Sequence, residues 1–159
     1  MLRDLKELLK SHEFTSDLTD DQLTFIAGCA KNFIFQPGES IFREGNDADH
    51  FYLIRHGTVA LEMNIPGRGA TTIRTLKEND ELGVSWLIPP YRWSFDARAV
   101  TLVRAIGFDA ACLRGKCEED HDLGYALMMQ FAPRLWDRLR STRLQLADIY
   151  GKPSGKEPV

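Results

Sequence analysis

The sequence predicts a mainly β protein with flanking helices: an antiparallel, jelly-roll-like β-roll set between N-terminal helices and a long C-terminal helix. Three observations carry this prediction. Short apolar runs separated by turn residues fill the middle of the chain, helical signals precede them, and an apolar period of about 3.5 residues follows them nearly to the end. The chain therefore divides into N-terminal helices (1–31), the roll (32–108), C-terminal helices (109–150) and a polar tail (151–159), which is expected to be disordered.

Leu2, Leu5, Leu8 and Leu9 recur at helical spacing and predict a short amphipathic helix over 2–11. A second helix starts at Thr19. Gln22 lies three residues on, the spacing at which two side chains reciprocally satisfy orphan backbone donors. From Asn32 the texture changes to strand formers: Phe33-Ile34-Phe35, Ser40-Ile41-Phe42, Phe51 to Ile54, Val59 to Leu61, Thr71 to Ile73, and Ala97 to Phe108. Pro37-Gly38, Glu44 to Asp47, His56-Gly57 and Pro66 to Gly69 punctuate them. After Asp109, Tyr125, Met128, Ala132, Leu135, Leu139, Thr142, Leu146 and Ile149 fall alternately 3 and 4 residues apart, as in a coiled-coil seam. Pro133 lies inside this seam. A proline removes a helical hydrogen bond and clashes with the preceding turn, so a kink or restart is expected there.

Composition excludes several classes. The 159 residues carry a net charge of -3, unlike a dedicated nucleic-acid binder. No apolar run approaches the roughly 18 residues of a membrane span, and the acidic start lacks the apolar stretch of a signal peptide. Cys29, Cys112 and Cys117 make no disulfide framework, so a cytoplasmic location is expected. Cys112 and Cys117 would lie about 140° apart on a helix, which suits buried structural cysteines better than a shared metal. No histidine pair, nucleophile triad or phosphate-cradling glycine loop appears. No catalytic or metal site is expected, and the protein is expected not to be an enzyme.

The stretch Pro37-Gly38-Glu39-Ser40-Ile41-Phe42-Arg43-Glu44-Gly45, then Ala48-Asp49, Tyr52-Leu53-Ile54 and Gly57-Thr58-Val59-Ala60-Leu61, resembles the cyclic-nucleotide-binding domain family in order and spacing. Gly38, Gly45 and Gly57 fall where tight turns demand left-handed backbone. Tyr52, Ile54, Val59 and Leu61 are expected to point inward across a hairpin at Gly57. The last helix resembles the dimer helix of the bacterial catabolite-activator and fumarate-nitrate regulators. The chain ends before a helix-turn-helix could be built, so no DNA-binding domain is expected.

The resemblance implies a ligand cassette at Gly83, Val84, Ser85, Trp86, Arg92, Trp93 and Ser94. In the family, a glutamate after the glycine accepts from the ribose hydroxyl, and an arginine holds the cyclic phosphate by a charge-assisted contact. Val84 stands at the glutamate position and Trp93 at the arginine position; Asp96 replaces a threonine, and Arg92 lies one residue from the arginine position. An unpaired ribose hydroxyl alone costs about 1–3 kcal/mol. The expectation is a non-catalytic sensor or adaptor with reduced or altered ligand specificity, its ligand a cyclic nucleotide or another small molecule. The alternatives are genuine cyclic AMP or cyclic GMP binding, and a purely structural interaction domain with a collapsed pocket. Expected partners are a second copy, through Leu135, Leu139, Leu146 and Ile149, and an unidentified protein.

Overall fold

The computed structural model describes residues 2–151, with side-chain surroundings from residue 4 onward; the tail beyond Gly151, expected to be disordered, lies outside the described residues. The elements run α1 (Leu2–Ser11), α2 (Asp20–Ala27), β1 (Ala30–Phe35), β2 (Ser40–Phe42), β3 (His50–His56), β4 (Val59–Ile65), β5 (Gly69–Leu76), β6 (Glu81–Leu82), β7 (Asp96–Ala99), β8 (Val103–Asp109), α3 (Ala110–Glu119) and α4 (His121–Gly151). The predicted capping box is present: Thr19 accepts from the Gln22 amide, and the Gln22 side chain accepts from the Thr19 amide.

Two antiparallel four-stranded sheets form the roll, in the orders β1-β8-β3-β6 and β2-β7-β4-β5. The chain passes between sheets at Gly57, because β3 pairs with β8 and β6 while β4 pairs with β5 and β7. The expected hairpin is therefore a crossover. Gly57 holds a φ of 93°, and a Cβ there would lie 2.2 Å from the Leu102 carbonyl oxygen, so glycine is required both by conformation and by space. The run from Ala97 to Phe108 is likewise two strands, one in each sheet, parted at residues 100–102.

Phe51, Tyr52, Leu53 and Ile54 are all buried rather than alternating. Both faces of β3 are covered. Phe51 packs on Phe14 and Phe131 of the helical layer, and Tyr52 packs on Phe33 and Phe35 of β1. A strand buried on both sides loses its period-2 pattern. His12 fastens the N-terminal helices to this strand. Its Nδ1 accepts from the Phe14 amide, its Nε2 lies 3.0 Å from the Ile54 carbonyl oxygen, and burial pushes its pKa down.

Two further expectations change. Cys29 and Cys112 are joined in a disulfide across 83 residues of sequence, their Cα atoms 5.8 Å apart. Sequence spacing points to neither partner; the fold brings the start of β1 beside the first turn of α3, where the Asp109 amide donates to the Cys29 carbonyl and the Asp109 side chain caps Cys112. And α4 runs unbroken through Pro133, so no restart occurs. Its buried face is Leu123, Leu127 and Phe131, while Tyr125, Leu135, Leu139, Leu146 and Ile149 are exposed.

Candidate functional site

The segment between β6 and β7 crosses the molecule instead of gathering at one point. Gly83 turns with a φ of 74°, and a Cβ at this position would meet the Trp93 ring at 2.8 Å. Val84 and Ser85 are half-buried, and Ser94 is exposed. Trp86 is fully buried, stacked 5.1 Å from Phe51 and with the Phe131 ring tilted against it at 5.9 Å, so it belongs to the helix-facing layer. Trp93 is also buried, but it lies on Phe42 of the other sheet. Tyr91 sits elsewhere again, under the Arg114 guanidinium at 4.0 Å.

The later limb of the segment zips onto the turn at residues 45–48. Gly45 donates its amide to the Trp93 carbonyl at 2.8 Å, Trp93 donates to Asn46 at 3.0 Å, and Ala48 donates to Tyr91 at 2.7 Å. Arg92, the cation nearest the position the family gives to arginine, spends its charge locally. It donates to the Gly45 carbonyl at 2.9 Å and lies 3.4 Å from the Asp47 carboxylate. Beside it opens a cavity of about 420 Å³ lined by Phe42, Asp47, Asp49, Tyr52, Arg92 and Trp93 among others. Two carboxylates and one committed arginine give this cavity little attraction for a phosphate.

The helices hold the segment through Arg114 and Glu81, which the sequence did not single out, and through Arg134 and Arg138, part of the basic run of the last helix. Arg114 of α3 donates to the Trp86 carbonyl at 2.5 Å. Glu81, two residues before Gly83, is buried and pairs with Arg134 at 3.4 Å and with Arg138 of α4. Burial pushes the Glu81 carboxyl pKa up, and Arg138 and Arg134 oppose that rise. Nothing in the polar run Lys77 to Glu81 marks its last residue as buried; the only signal was its place just ahead of Gly83.

The family model for the cyclic nucleotide-binding domain matches residues 33–120. Among curated proteins, the chain is 27% identical over 115 residues to a CRP-like cAMP-activated global transcriptional regulator of Mycobacterium tuberculosis, covering 72% of this chain and 50% of that one. It is 28% identical over 109 residues to cGMP-dependent protein kinase 2 of Homo sapiens, covering 68% of this chain and 14% of the kinase. The chain thus spans half or less of these relatives' length. A solved structure of a putative cyclic nucleotide-binding protein from Geobacter metallireducens GS-15 superposes with a TM-score of 0.75 at 34% identity, covering 84% of this chain and 97% of that one. The sensor domain of the transcriptional regulator DNR from Pseudomonas aeruginosa shares the fold, with a TM-score of 0.70 at 21% identity over 87% of this chain and 93% of that one. Among the described residues, no helix is long and apolar enough to cross a membrane.

Proposed function

The chain belongs to the cyclic nucleotide-binding domain family, and from that premise we propose that it is a non-catalytic regulatory sensor or adaptor whose ligand preference has moved away from cyclic nucleotides. One observation carries the reading: the side chain at the family's arginine position is Trp93, buried flat against Phe42. A phosphate monoanion in that place would meet an aromatic stack instead of a guanidinium, and would lose the stronger class of hydrogen bond. Val84 at the glutamate position supports the same conclusion, since it offers the ribose hydroxyl no acceptor.

The mechanism is a two-state one, in which occupancy near the cassette biases α3 and α4. Contacts that support it run from Arg114 to the Trp86 carbonyl and from α4 to Glu81. The readout surface is the exposed stripe of Leu135, Leu139, Leu146 and Ile149, which suits a second copy of the same helix. A cytoplasmic setting is part of this proposal. The Cys29–Cys112 bond stands against that setting, because thiol reductants there disfavour disulfides, so the reduced and oxidised forms are both to be assayed.

Titration calorimetry with cyclic AMP and cyclic GMP tests the altered preference. No heat of binding is expected at ligand concentrations up to about a hundred micromolar; a Kd of about a micromolar or tighter, near -8 kcal/mol, overturns the reading and promotes Arg92 to phosphate ligand. Mass spectrometry of small molecules released from the purified protein separates a sensor of another ligand from an adaptor with a filled pocket.

A further inference from the structure

The first strand of the cassette and the middle of α4 meet at a single carboxylate. The Glu81 side chain is 2% exposed, and two guanidinium groups one helical turn apart converge on it. Arg134 Nη1 lies 3.4 Å from Oε2, and Arg138 Nη2 pairs with Oε1. Arg138 also donates from Nη2 to the Glu81 carbonyl oxygen at 3.1 Å, so it grips side chain and backbone together. The two arginine side chains are themselves only 24% and 19% exposed, which leaves their pairing little screened by water.

The position of this clamp on the helix gives it a consequence. Up to Phe131, α4 is held by apolar burial through Leu123, Leu127 and Phe131. Beyond Arg138, every residue from 139 to 151 is exposed. Glu81 therefore stands where the helix leaves the roll. On the other side, β6 is only two residues long, paired through Tyr52 and Leu53 of β3, and it leads directly into Gly83. A displacement at Gly83 is therefore separated from Glu81 by a single residue, Leu82.

We propose that Glu81 is a positioning residue that couples the cassette to the free half of α4: its carboxylate fixes the direction in which the helix leaves the roll, and a movement of the cassette at Gly83 reaches the helix through it. The proposal rests on the sensor reading only for what moves the cassette; the clamp itself requires no ligand. A buried ion cluster that merely stabilises the fold would, on removal, loosen the whole roll instead of one helix half.

Hydrogen exchange followed by mass spectrometry on the full chain, at one fixed protein concentration, makes the distinction. Glu81→Gln is expected to speed exchange of residues 134–150 by about tenfold while β3 and β8 keep their protection. Arg138→Lys keeps a cation but loses the reach and the planar guanidinium that place Nη2 between the Glu81 carboxylate and carbonyl, and is expected to produce the same localised change to a smaller degree. Should Glu81→Gln fail to fold, the partner variant Arg138→Lys decides by the same readout. Unchanged exchange in α4, or an equal rise in β3 and β8, overturns the proposal. Coupling is read from Gly83→Ala, whose methyl group displaces Trp93. It is expected to speed α4 exchange in the otherwise native chain and to add nothing in the Glu81→Gln background; equal increments in both overturn the role of Glu81. None of these measurements uses a nucleotide, so a failed titration bears on the sensor reading alone.

Discussion

Trp93 lies flat on Phe42, the two rings 3.6 Å apart between centroids and within 3° of parallel. Phe42 comes from β2 and Trp93 from the cassette, so one stacked pair closes the space between them where the family's arginine would stand. Replacing Trp93 with arginine removes the stack and supplies the missing charge; adding Val84→Glu supplies the ribose acceptor. The double variant is expected to bind cyclic AMP or cyclic GMP at least tenfold tighter than the parent by calorimetry, about 1.4 kcal/mol. Equal affinity in both proteins would mean that these two positions do not set the preference.

Trp86 is fully buried between Phe51 and Phe131, and its indole N–H finds no acceptor among the described residues. Trp86→Ala should cost about 3–5 kcal/mol by leaving a cavity. Trp86→Phe should cost markedly less, because it keeps an aromatic ring and deletes the unsatisfied donor. Urea melts of the two variants check the order, and a phenylalanine variant as unstable as the alanine one would contradict it.

Leu139 is 45% exposed at the centre of the apolar stripe on α4. In a symmetric pair of helices, Leu139→Glu places two like charges in the seam. Sedimentation velocity at micromolar concentration should show a dimer for the native chain and a monomer with an intact roll for the variant. A native chain that sediments as a monomer removes the pairing at that concentration.

The Cys29–Cys112 bond closes a loop of 83 residues. Chain-entropy arguments assign such a bond roughly 4–5 kcal/mol, as an upper figure. Cys112→Ser should therefore lower the denaturation midpoint under oxidising conditions and leave it unchanged when both proteins are assayed with excess dithiol. A variant as stable as the oxidised parent would show that the bond does not form in solution.

His12 is held neutral: burial lowers its pKa below 6.5, and Nδ1 already accepts a backbone hydrogen bond. The unfolded chain then binds the extra proton more readily. The stability contributed by the neutral ring is fully present above about pH 6.5 and is lost as pH falls through that value toward the folded pKa. Urea melts at pH 7.5 and 5.5 should show a larger loss for the native chain than for His12→Gln. Equal losses would place the acid sensitivity elsewhere.

How far the fold was legible depended on whether the signal was local. The β-roll, the Thr19–Gln22 capping box and the left-handed glycines at 38, 45 and 57 follow from turn chemistry and side-chain period, which act over a few residues. The resemblance also puts Val84 and Trp93 at the positions of the family's charged anchors, an assignment that needs only residue counting. The Gly57 crossover could not be read in this way, because a left-handed glycine serves a hairpin or a passage between sheets equally well, and only strand pairing decides. Nor could the separation of Trp86 from Trp93, only seven residues apart in the chain yet packed in different layers.

The sequence by itself determined the β-roll class with its flanking helices and the family resemblance, since each is written in neighbouring residues; it marked neither the two-residue β6 nor the division of Ala97 to Phe108 between the sheets. Tertiary structure alone decided that Cys29 meets Cys112 and that Glu81 is buried between Arg134 and Arg138. The physical reason is range. Bonding between cysteines 83 residues apart and the burial of a carboxylate depend on which surfaces the whole chain brings together, and only the packed roll and its helices make those surfaces adjacent.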